Sequence, residues 1–354
     1  MALRVVVWGT GNMGVHSLRT VLADPGLELA GVIVHSESKV GRDAGELCGR
    51  PSTGIRATRD PAKALGTRPD ACAYMASGDM RPSDTLDDLE QCLRAGVNVV
   101  TPSVYAFYDP PSAPPPLLER IDAACRGGNA SLFATGIDPG WANNLLPVLL
   151  SGLCDRIQTI RCQEIFDYGF YHAPGAVRDL IGFGRPLDEV PPMLTPGVPT
   201  MIWGGSVRAI ARALDVPLDD VREVIERRPL TRTVTRPVVG TFEVGRQGAF
   251  RFEVQGLVRG EPRIIVEHVT RIDPELALDW PVPAGAGEHR IVIEGSNRFE
   301  VVIRPTDEHG NAAEGGNATA AARLVRAIPA VVAARRGLVD PMAIPFAPGR
   351  GLLV

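Results

Sequence analysis

The sequence lacks the features that mark membrane, secreted and zinc-binding proteins. It has no apolar run near the roughly 20 residues that a helix needs to cross a bilayer, and no signal segment before its first strand-like run. Its six cysteines form no CxxC pair and no cysteine–histidine cluster with zinc-like spacing. It also has no run of lysine or arginine, and its net charge is −4. We therefore expect a cytoplasmic protein with reduced thiols, without a metal site and without nucleic-acid or membrane partners.

Length and composition predict a globular protein of more than one domain. The chain has 354 residues, more than one hydrophobic core usually organises, with 45% apolar and 22% charged residues. Up to residue 145, short apolar runs alternate with helical patterns, which is typical of a parallel sheet with crossover helices. We predict an α/β fold: a Rossmann-type dinucleotide-binding domain at 1–145, an α+β substrate and dimerisation domain at 146–315, and a C-terminal helix within 316–354 that returns towards the first domain.

The second half of the chain has a different pattern. Beyond residue 150, long strand-like runs follow one another with short turns, so the second domain is predicted to hold a mixed, largely antiparallel sheet. One of these strands is expected at 231–244. Helices are expected at 206–214, at 217–227 after a capping aspartate, and at 317–335 after a glycine pair.

The best-defined motif is the glycine-rich turn after the first apolar strand. The segment GTGNMG follows RVVVW directly and opens a helix, the context in which a GxGxxG pattern binds a dinucleotide. The first glycine allows a tight turn, the second lets a pyrophosphate approach the backbone, and the third permits close helix–strand packing. The predicted cofactor residues of this turn are Gly9, Thr10, Gly11, Asn12, Met13 and Gly14. A glycine turn without a ligand is the alternative.

The end of the second strand bears on the choice between NAD and NADP. An acidic side chain there accepts from the ribose 2′-hydroxyl and repels a 2′-phosphate. The chain instead continues as HSESK, with Glu37 one position past the usual acidic one. The cofactor residues expected in this loop are His35, Ser36, Ser38, Lys39 and Arg42. NADP is therefore the predicted cofactor, with NAD as the second choice, and a solvated polar loop without selectivity is the alternative.

Three further loops are expected to meet the ligand, because ligands of such sheets lie beyond the carboxyl ends of the parallel strands. They follow the strand-like runs ACAYM, VNVV and SLFA. The predicted cofactor residues there are Ala76, Ser77, Thr101, Pro102, Gly136, Pro139 and Asn143. Ordinary strand-to-helix turns are the alternative, and Asn143 could equally cap the following helix.

Candidate proton donors cluster in two places. The nicotinamide carries the hydride, so the protein has to supply a proton and orientation. Tyrosines concentrate in the segment EIFDYGFYH and around 105–108, which indicates a shared pocket. The candidates are Tyr105, Tyr168, Tyr171 and His172, with packing aromatic residues as the alternative. Glu267 and His268 form a further candidate dyad on a strand, for which a structural histidine is the alternative.

Four motifs spread along the chain resemble those of the actinobacterial dihydrodipicolinate-reductase-like proteins, which are similar to 2,4-diaminopentanoate dehydrogenase and the native amine dehydrogenases. They are VVVWGTGNMG, VHSESKVGRDAGELCG, TGIDPGWANNLLP and GGNATAAARLVRAIPAVVAA. The resemblance covers nearly the whole chain. It implies an NADP-preferring enzyme that interconverts an amine with a ketone plus ammonia, a substrate crevice between the domains, and a homodimer built through the second-domain sheet.

The chain departs from this family in the loop after the fourth strand. The amine dehydrogenases carry a glutamate there that can exchange protons with the amine, whereas this chain reads PSVYAF and has no carboxylate before Asp109. The main hypothesis is therefore an NADP-dependent oxidoreductase that reduces a C=N or C=O group of a small, fairly hydrophobic substrate, with Tyr105 suited to protonate it. The alternatives are an amine dehydrogenase whose carboxylate has moved, for example to Glu164 or Asp167, and a dinucleotide sensor without catalysis.

Overall fold

The computed structural model describes residues 1–78, 81–171 and 173–353. The chain forms two compact units: unit 1 contains residues 1–136 and the chain from 317 onwards, and unit 2 contains residues 137–316. Within the described residues, every helix is too short or too polar to cross a membrane.

Unit 1 is built on a parallel sheet. Its six strands are β1 (Leu3–Trp8), β2 (Leu27–Ile33), β3 (Ala71–Tyr74), β4 (Asn98–Thr101), β5 (Ser131–Ala134) and, from the end of the chain, β14 (Gly337–Val339). They lie in the order β14-β5-β4-β3-β1-β2. The helices of this unit are α1 (Asn12–Ala23), α2 (Ala44–Cys48), α3 (Pro61–Leu65), α4 (Pro82–Arg94), α5 (Pro115–Gly128) and most of α8 (Ala312–Ala333). The predicted Rossmann-type sheet is confirmed.

Strand β1 illustrates why the strands of unit 1 are apolar throughout. Side chains alternate across a strand, so Val7 packs into one core with Leu324 of α8. Trp8 packs into a second core on the other face, with Leu89 of α4. Because helices cover both faces of a parallel sheet, ligands bind at the turns that follow the carboxyl ends of the strands.

Unit 2 is built on a mixed sheet. Its six strands are β6 (Arg156–Asp167), β7 (Asp220–Pro229), β10 (Gln247–Val258), β11 (Glu261–Arg271), β12 (Gly287–Ser296) and β13 (Phe299–Ile303). They lie in the order β13-β12-β6-β11-β10-β7, with β6 and β11 parallel and the other neighbours antiparallel. The predicted mixed, largely antiparallel sheet is confirmed. A separate hairpin is formed by β8 (Val234–Arg236) and β9 (Gly240–Phe242), and the helices are α6 (Leu145–Ser151) and α7 (Val198–Ala213).

The two faces of the unit 2 sheet differ in chemistry. One face, the core face, carries an apolar core that includes Ile160 and Val266, and α7 packs against it. The residues that follow them on the same strands, Arg161 and Glu267, point to the opposite face and form an ion pair. We call this second face the arginine face and define it by Arg161, Arg251, Glu253 and Glu267.

Two secondary-structure predictions for unit 2 are wrong. The segment 217–227 forms no helix, because strand β7 begins at Asp220 and pairs with β10, for example Val224 with Glu253. Hydrogen bonding along the whole sheet edge outweighs a weak helix propensity. The predicted strand 231–244 is divided into β8 and β9, since Pro237 lacks the N–H of a strand interior and Gly240 has a φ of +85°.

Two predicted helices begin too late. Helix α7 starts at Val198 rather than at 206, and α8 starts at Ala312 rather than at 317. Each therefore contains the glycine pair that the sequence suggested as its boundary. A Cβ at Gly315 would lie 2.4 Å from the Cα of Thr306, so the glycine allows close packing inside α8.

Candidate active site

The glycine-rich turn between β1 and α1 has the geometry of an anion site. Gly9 has a φ of +95°, and a Cβ there would lie 2.8 Å from the amide nitrogen of Ala76. A Cβ at Gly14 would lie 2.0 Å from the carbonyl oxygen of Gly9, whereas one at Gly11 would meet nothing within 4 Å. No side chain caps the N-terminus of α1, which begins at Asn12 and Met13, so its first N–H groups and positive dipole end can face a phosphate. The turn therefore fits a pyrophosphate.

The loop after β2 places donors beside this turn. Lys39, one of two lysines in the chain, donates through Nζ to the carbonyl oxygen of Thr10 at 2.7 Å and to its hydroxyl at 3.2 Å. The hydroxyls of Ser36 and Ser38 lie 2.8 Å apart, and both residues are exposed. Arg42 is paired with Glu46 at 2.8 Å.

Two arginines that the sequence did not suggest also lie at this loop. Glu37, the acidic residue that favours NAD, is paired with Arg59. A guanidinium nitrogen of Arg81 lies 3.1 Å from the ring of His35, and burial together with this arginine lowers the pKa of His35. Neither arginine was detectable from the sequence, because both come from other segments of unit 1.

The loops after β3 and β4 hold each other in place. Ser103 donates its hydroxyl to the carbonyl oxygen of Ala76 at 2.5 Å, and Tyr108 donates to the carbonyl oxygen of Pro102 at 2.7 Å. The ring of Tyr105 packs edge-on against Tyr108, with centroids 5.7 Å apart. Of the other predicted loop residues, Thr101 and Gly136 are buried and Ser77 is exposed. This loop supplies a phenol from Tyr105, and its first carboxylate is that of the buried Asp109, which accepts from the hydroxyl of Ser112.

Unit 2 contains a buried group of two carboxylates and two imidazoles, which we call the carboxylate–imidazole cluster: Asp138, Glu164, His268 and His289. Nε2 of His268 lies 3.1 Å from Oδ1 of Asp138, and its Nδ1 lies 3.6 Å from Oε1 of Glu164. Nδ1 of His289 lies 3.6 Å from Oδ2 of Asp138. Exposed fractions of these side chains range from 1% for Asp138 to 12% for Glu164. Charged groups so removed from water must compensate one another.

The pKa values of the cluster are shifted in different directions. Burial alone would raise the pKa of Asp138, but the charges and hydrogen bonds of His268 and His289 outweigh it and hold that pKa below its usual range. Burial opposes protonation of His268, yet Glu164 and Asp138 together raise its pKa. For Glu164, burial prevails over the attraction of His268 and the pKa is raised. The cluster thus holds Asp138 as an anion and leaves Glu164, with its raised pKa, as the carboxyl group suited to taking up and releasing a proton.

Aromatic side chains enclose this cluster. The ring of His268 stacks on Phe252 with centroids 4.7 Å apart, and Trp203 lies 4.4 Å from it on a tilted plane. The hydroxyl of Tyr168 donates to Oε1 of Glu164 at 3.3 Å, and the ring of Tyr171 packs 5.1 Å from that of Tyr168. The structure therefore brings the predicted Tyr168 and Tyr171 to the cluster, whereas His172 lies outside the described residues.

Three other sequence candidates have different surroundings. Asn143 donates to Asp138 at 2.5 Å and accepts from Gly140 and Ser206, while the neighbouring Asn144 caps α6. Asp167 is paired with Arg236. The proposed Glu267–His268 dyad is wrong: successive strand residues point to opposite faces, and Glu267 belongs to the arginine face.

By distance, part of the cluster could hold a metal ion. Asp138, Glu164 and His289 each place one ligand atom within 4.8 Å of the other two. However, Oδ1 of Asp138 already accepts from Trp203, His268 and Asn143. We therefore interpret the cluster as a hydrogen-bonded network. No spacing pattern could have revealed it, since its members come from the loop after β5 and from β6, β11 and β12.

Two family models match the chain. Residues 3–103 match the N-terminal domain of dihydrodipicolinate reductase, and residues 143–349 match the C-terminal domain of 2,4-diaminopentanoate dehydrogenase. The first match contains the glycine-rich turn, and the second contains all of the cluster except Asp138.

Whole-length relatives agree with these matches. The chain is 53% identical to an amine dehydrogenase of Streptomyces virginiae over 99% of this chain and 98% of that protein. It is 24% identical to 2,4-diaminopentanoate dehydrogenase of Acetoanaerobium sticklandii, over 95% of this chain and 91% of the relative. Among solved structures, an amine dehydrogenase from Mycobacterium smegmatis matches with a TM-score of 0.76 and 22% identity, covering 98% of this chain and 96% of the other, and so shares its fold.

Proposed function

Since the chain belongs to the family of the amine dehydrogenases and 2,4-diaminopentanoate dehydrogenase, we propose that it interconverts a primary amine with a ketone or aldehyde plus ammonia. The family, the oxidoreductase class and the nicotinamide dinucleotide that the sequence indicated are confirmed by whole-length similarity. The amine reaction was the alternative in the sequence interpretation, and it is now preferred. We assign nucleotide binding to unit 1 and substrate binding to unit 2.

The observation that carries this proposal is the carboxylate–imidazole cluster. The amine reaction needs a group that exchanges protons with nitrogen, and the loop after β4 has no carboxylate before the buried Asp109. Glu164 is a carboxyl group with a raised pKa beside Tyr168 and His268. A simple carbonyl reductase would need only a proton donor such as Tyr105, so a buried carboxylate of this kind favours the amine reaction. Burial also raises the pKa of Asp167, the other candidate, but this carboxylate is paired with Arg236, whereas Glu164 faces an imidazole and a phenol.

The reaction balances with water as a reactant: a primary ammonium ion, NADP+ and water give the carbonyl compound, an ammonium ion, NADPH and one proton. A nicotinamide dinucleotide held at the glycine-rich turn would supply the acceptor for the hydride of the amine's α-carbon. We assign to Glu164 the proton that leaves the substrate nitrogen, which frees the lone pair needed for the iminium ion. Glu164 then serves the proton transfers by which water adds to the iminium carbon and ammonia leaves. Tyr168 and Tyr171 line the same side of unit 2 and are assigned to substrate orientation.

We also propose that NADP is preferred over NAD. Glu37 is paired with Arg59 and Arg81 with Asp84, while Nζ of Lys39 is bound to Thr10, so Lys39 brings a positive charge to the loop that would face a 2′-phosphate. The serine hydroxyls at Ser36 and Ser38 add donors. Titration of the protein with NADPH and with NADH, followed by nicotinamide fluorescence, should give the tighter binding for NADPH. Equal affinities would contradict the preference.

We further propose that two copies of the chain form a homodimer through the unit 2 sheet. The arginine face mixes both signs of charge, with exposed Val224 and Val302 on the strands at its edges. A two-fold interface has to be complementary to itself, and a face of alternating arginine and glutamate meets that condition. Light scattering after size exclusion should give twice the chain mass of 37.8 kDa. A monomer would contradict the proposal.

The decisive test of the function is the dependence on ammonium. Purified protein, NADPH and a small aliphatic ketone should consume NADPH at high ammonium concentration and not in its absence, and the amine should form in equal amount. Consumption without ammonium, with alcohol as product, would identify a carbonyl reductase instead. Tight NADPH binding without turnover of any ketone or aldehyde would favour the dinucleotide sensor.

A further inference from the structure

The carboxylate–imidazole cluster contains an ordered series of titratable groups. From Oδ1 of Asp138 the series runs to Nε2 of His268 at 3.1 Å, and from Nδ1 of that ring to Oε1 of Glu164 at 3.6 Å. The same oxygen of Glu164 accepts from the hydroxyl of Tyr168 at 3.3 Å. One imidazole thus separates a carboxylate that is held as an anion from a carboxyl group with a raised pKa.

Asp138 determines which nitrogen of His268 carries a proton. Oδ1 of Asp138 accepts from the indole Nε1 of Trp203 at 2.8 Å and from Asn143 at 2.5 Å, so it is directed by donors on several sides. A carboxylate accepts only, and Nε2 of His268 must therefore donate to it. The remaining nitrogen, Nδ1, then faces Glu164, where it is either a lone pair or a second N–H.

The packing around His268 prevents the ring from turning. Phe252 stacks on one side with an interplanar angle of 9°, and Trp203 lies close on a tilted plane while also donating to Asp138. An imidazolium ion is stabilised by aromatic faces as well as by anions. The titratable groups facing His268 on this side of the sheet are Asp138 and Glu164, with His289 behind Asp138 and Tyr168 behind Glu164. The negative charge of Glu267, on the arginine face, also raises the pKa of His268.

We infer that Asp138 and His268 are positioning residues that hold a positive imidazolium against Glu164 and so keep this carboxylate ready to accept a proton from the amine nitrogen. The inference rests on the proposed function, and it adds the groups that set the working pH of Glu164. His268 does not touch the reacting atoms. It acts through Glu164, because an opposite charge at this distance favours the anionic carboxylate over the neutral acid.

Steady-state kinetics of amine oxidation test the pair. The variant His268→Gln keeps an N–H near Asp138 but removes the charge that faces Glu164. We expect kcat to fall about tenfold with KM nearly unchanged, and the acidic limb of kcat/KM to move up by about one pH unit, since Glu164 then loses its cation. The exposed His309→Gln is the matched control and should behave as the wild type. A profile of His268→Gln that coincides with the wild-type profile would overturn the inference.

A second measurement is independent of turnover. Nitrogen-15 spectra of histidine-labelled protein distinguish an imidazolium from the two neutral tautomers, and the signal missing in His268→Gln assigns the ring. We expect His268 to be doubly protonated at neutral pH in the wild type and to become neutral in Asp138→Asn, which preserves the side-chain volume. A neutral ring in the wild type, or an imidazolium that Asp138→Asn leaves intact, would contradict the inference.

These two measurements separate the inference from the proposed function. An imidazolium that depends on Asp138, in a protein without ammonium-dependent turnover, would refute the amine reaction while retaining the Asp138–His268 pair. Ammonium-dependent turnover with a neutral His268 would support the amine reaction and refute the role of the Asp138–His268 pair. If His268→Gln does not fold, glutamine variants of the other five histidines assign their own signals and leave that of His268, and Asp138→Asn then decides through the spectra.

Discussion

The two faces of the unit 2 sheet bury carboxylates beside opposite kinds of partner. On the arginine face, burial alone would raise the pKa of Glu253, but hydrogen bonds and charge from Arg161 and Arg251 outweigh it and the pKa is lowered. On the core face, Glu164 faces an imidazole, and burial raises its pKa. Arginine is charged at every accessible pH, whereas histidine changes its charge near neutrality. The comparison teaches that the pKa of a buried carboxylate depends on its particular neighbours: the pKa of Glu253 is lowered between two arginines, and that of Glu164 is raised beside one imidazole.

The largest expected effect is on the core face. Glu164→Gln should lower kcat/KM for amine oxidation by about 10²- to 10⁴-fold, because it removes the proton-exchanging group. The protein should keep its fold, since the amide avoids the cost of a buried charge. Steady-state kinetics and thermal unfolding check this. Asp167→Asn is the matched control, because Asp167 is already paired with Arg236, and a similar loss there would contradict the choice of Glu164.

A substitution on the arginine face should lower the stability of the protein and leave its activity nearly unchanged. Glu267→Gln leaves Arg161 and Arg251 without a shared carboxylate that is only 1% exposed. Removing one partner of such a buried network is expected to lower the free energy of unfolding by about 3 kcal/mol, with kcat within about twofold of the wild type. Urea unfolding and steady-state kinetics measure the two quantities. Loss of activity in a stable variant would break the distinction between the faces.

The two faces should also differ in their response to acid. The lowered pKa of Glu253 means that its stabilisation is present above the ordinary value of 4.5 and is lost as the pH falls through the folded value. The raised pKa of Glu164 has the opposite sign, so ionising it costs stability as the pH rises from 4.5 towards its folded value. Glu253→Gln should therefore be less stable than the wild type near neutral pH, and this difference should disappear in acid. Glu164→Gln should become more stable relative to the wild type as the pH rises from 4.5. Parallel curves for the two variants would contradict the assigned shifts.

The smallest expected effect concerns an ion pair in unit 1. If Arg59 neutralises the charge of Glu37, then Glu37→Gln releases the guanidinium of Arg59 and removes a negative charge near the 2′-phosphate. The affinity for NADPH should rise about threefold, while that for NADH changes little. Fluorescence titration with both nucleotides measures this, and Glu46→Gln, which frees Arg42 in the same loop, tests whether any released arginine suffices. A gain for NADH alone would show that Glu37 does not act on a phosphate.

How far the sequence predicted the fold depended on the range of the forces involved. Strand β5 coincides with the apolar run SLFA and β1 contains the run RVVVW, because these runs and their flanking turns are local. The segment of β7 was misread as a helix, since its strand state depends on pairing with β10, which lies further along the chain. The start of α8 was misplaced because Gly315 packs inside a helix rather than ending one.

The two sites differ in the same way. The glycine-rich turn consists of six consecutive residues and depends on backbone conformation, so its glycines were recognisable from spacing alone. The carboxylate–imidazole cluster is assembled from side chains between residues 138 and 289. The sequence suggested only two of its four members, Glu164 among alternative carboxylates and His268 in a dyad with Glu267.

The sequence by itself determined the Rossmann-type unit, the class of the second sheet and the family, because these follow from local periodicity and from motifs that are continuous in the chain. Only the tertiary structure decided that Asp138, Glu164 and His268 meet on one face of a sheet while Glu267 faces arginines on the other. The physical reason is that pKa shifts depend on burial and on charges within a few ångströms, and the sequence order of these residues fixes neither.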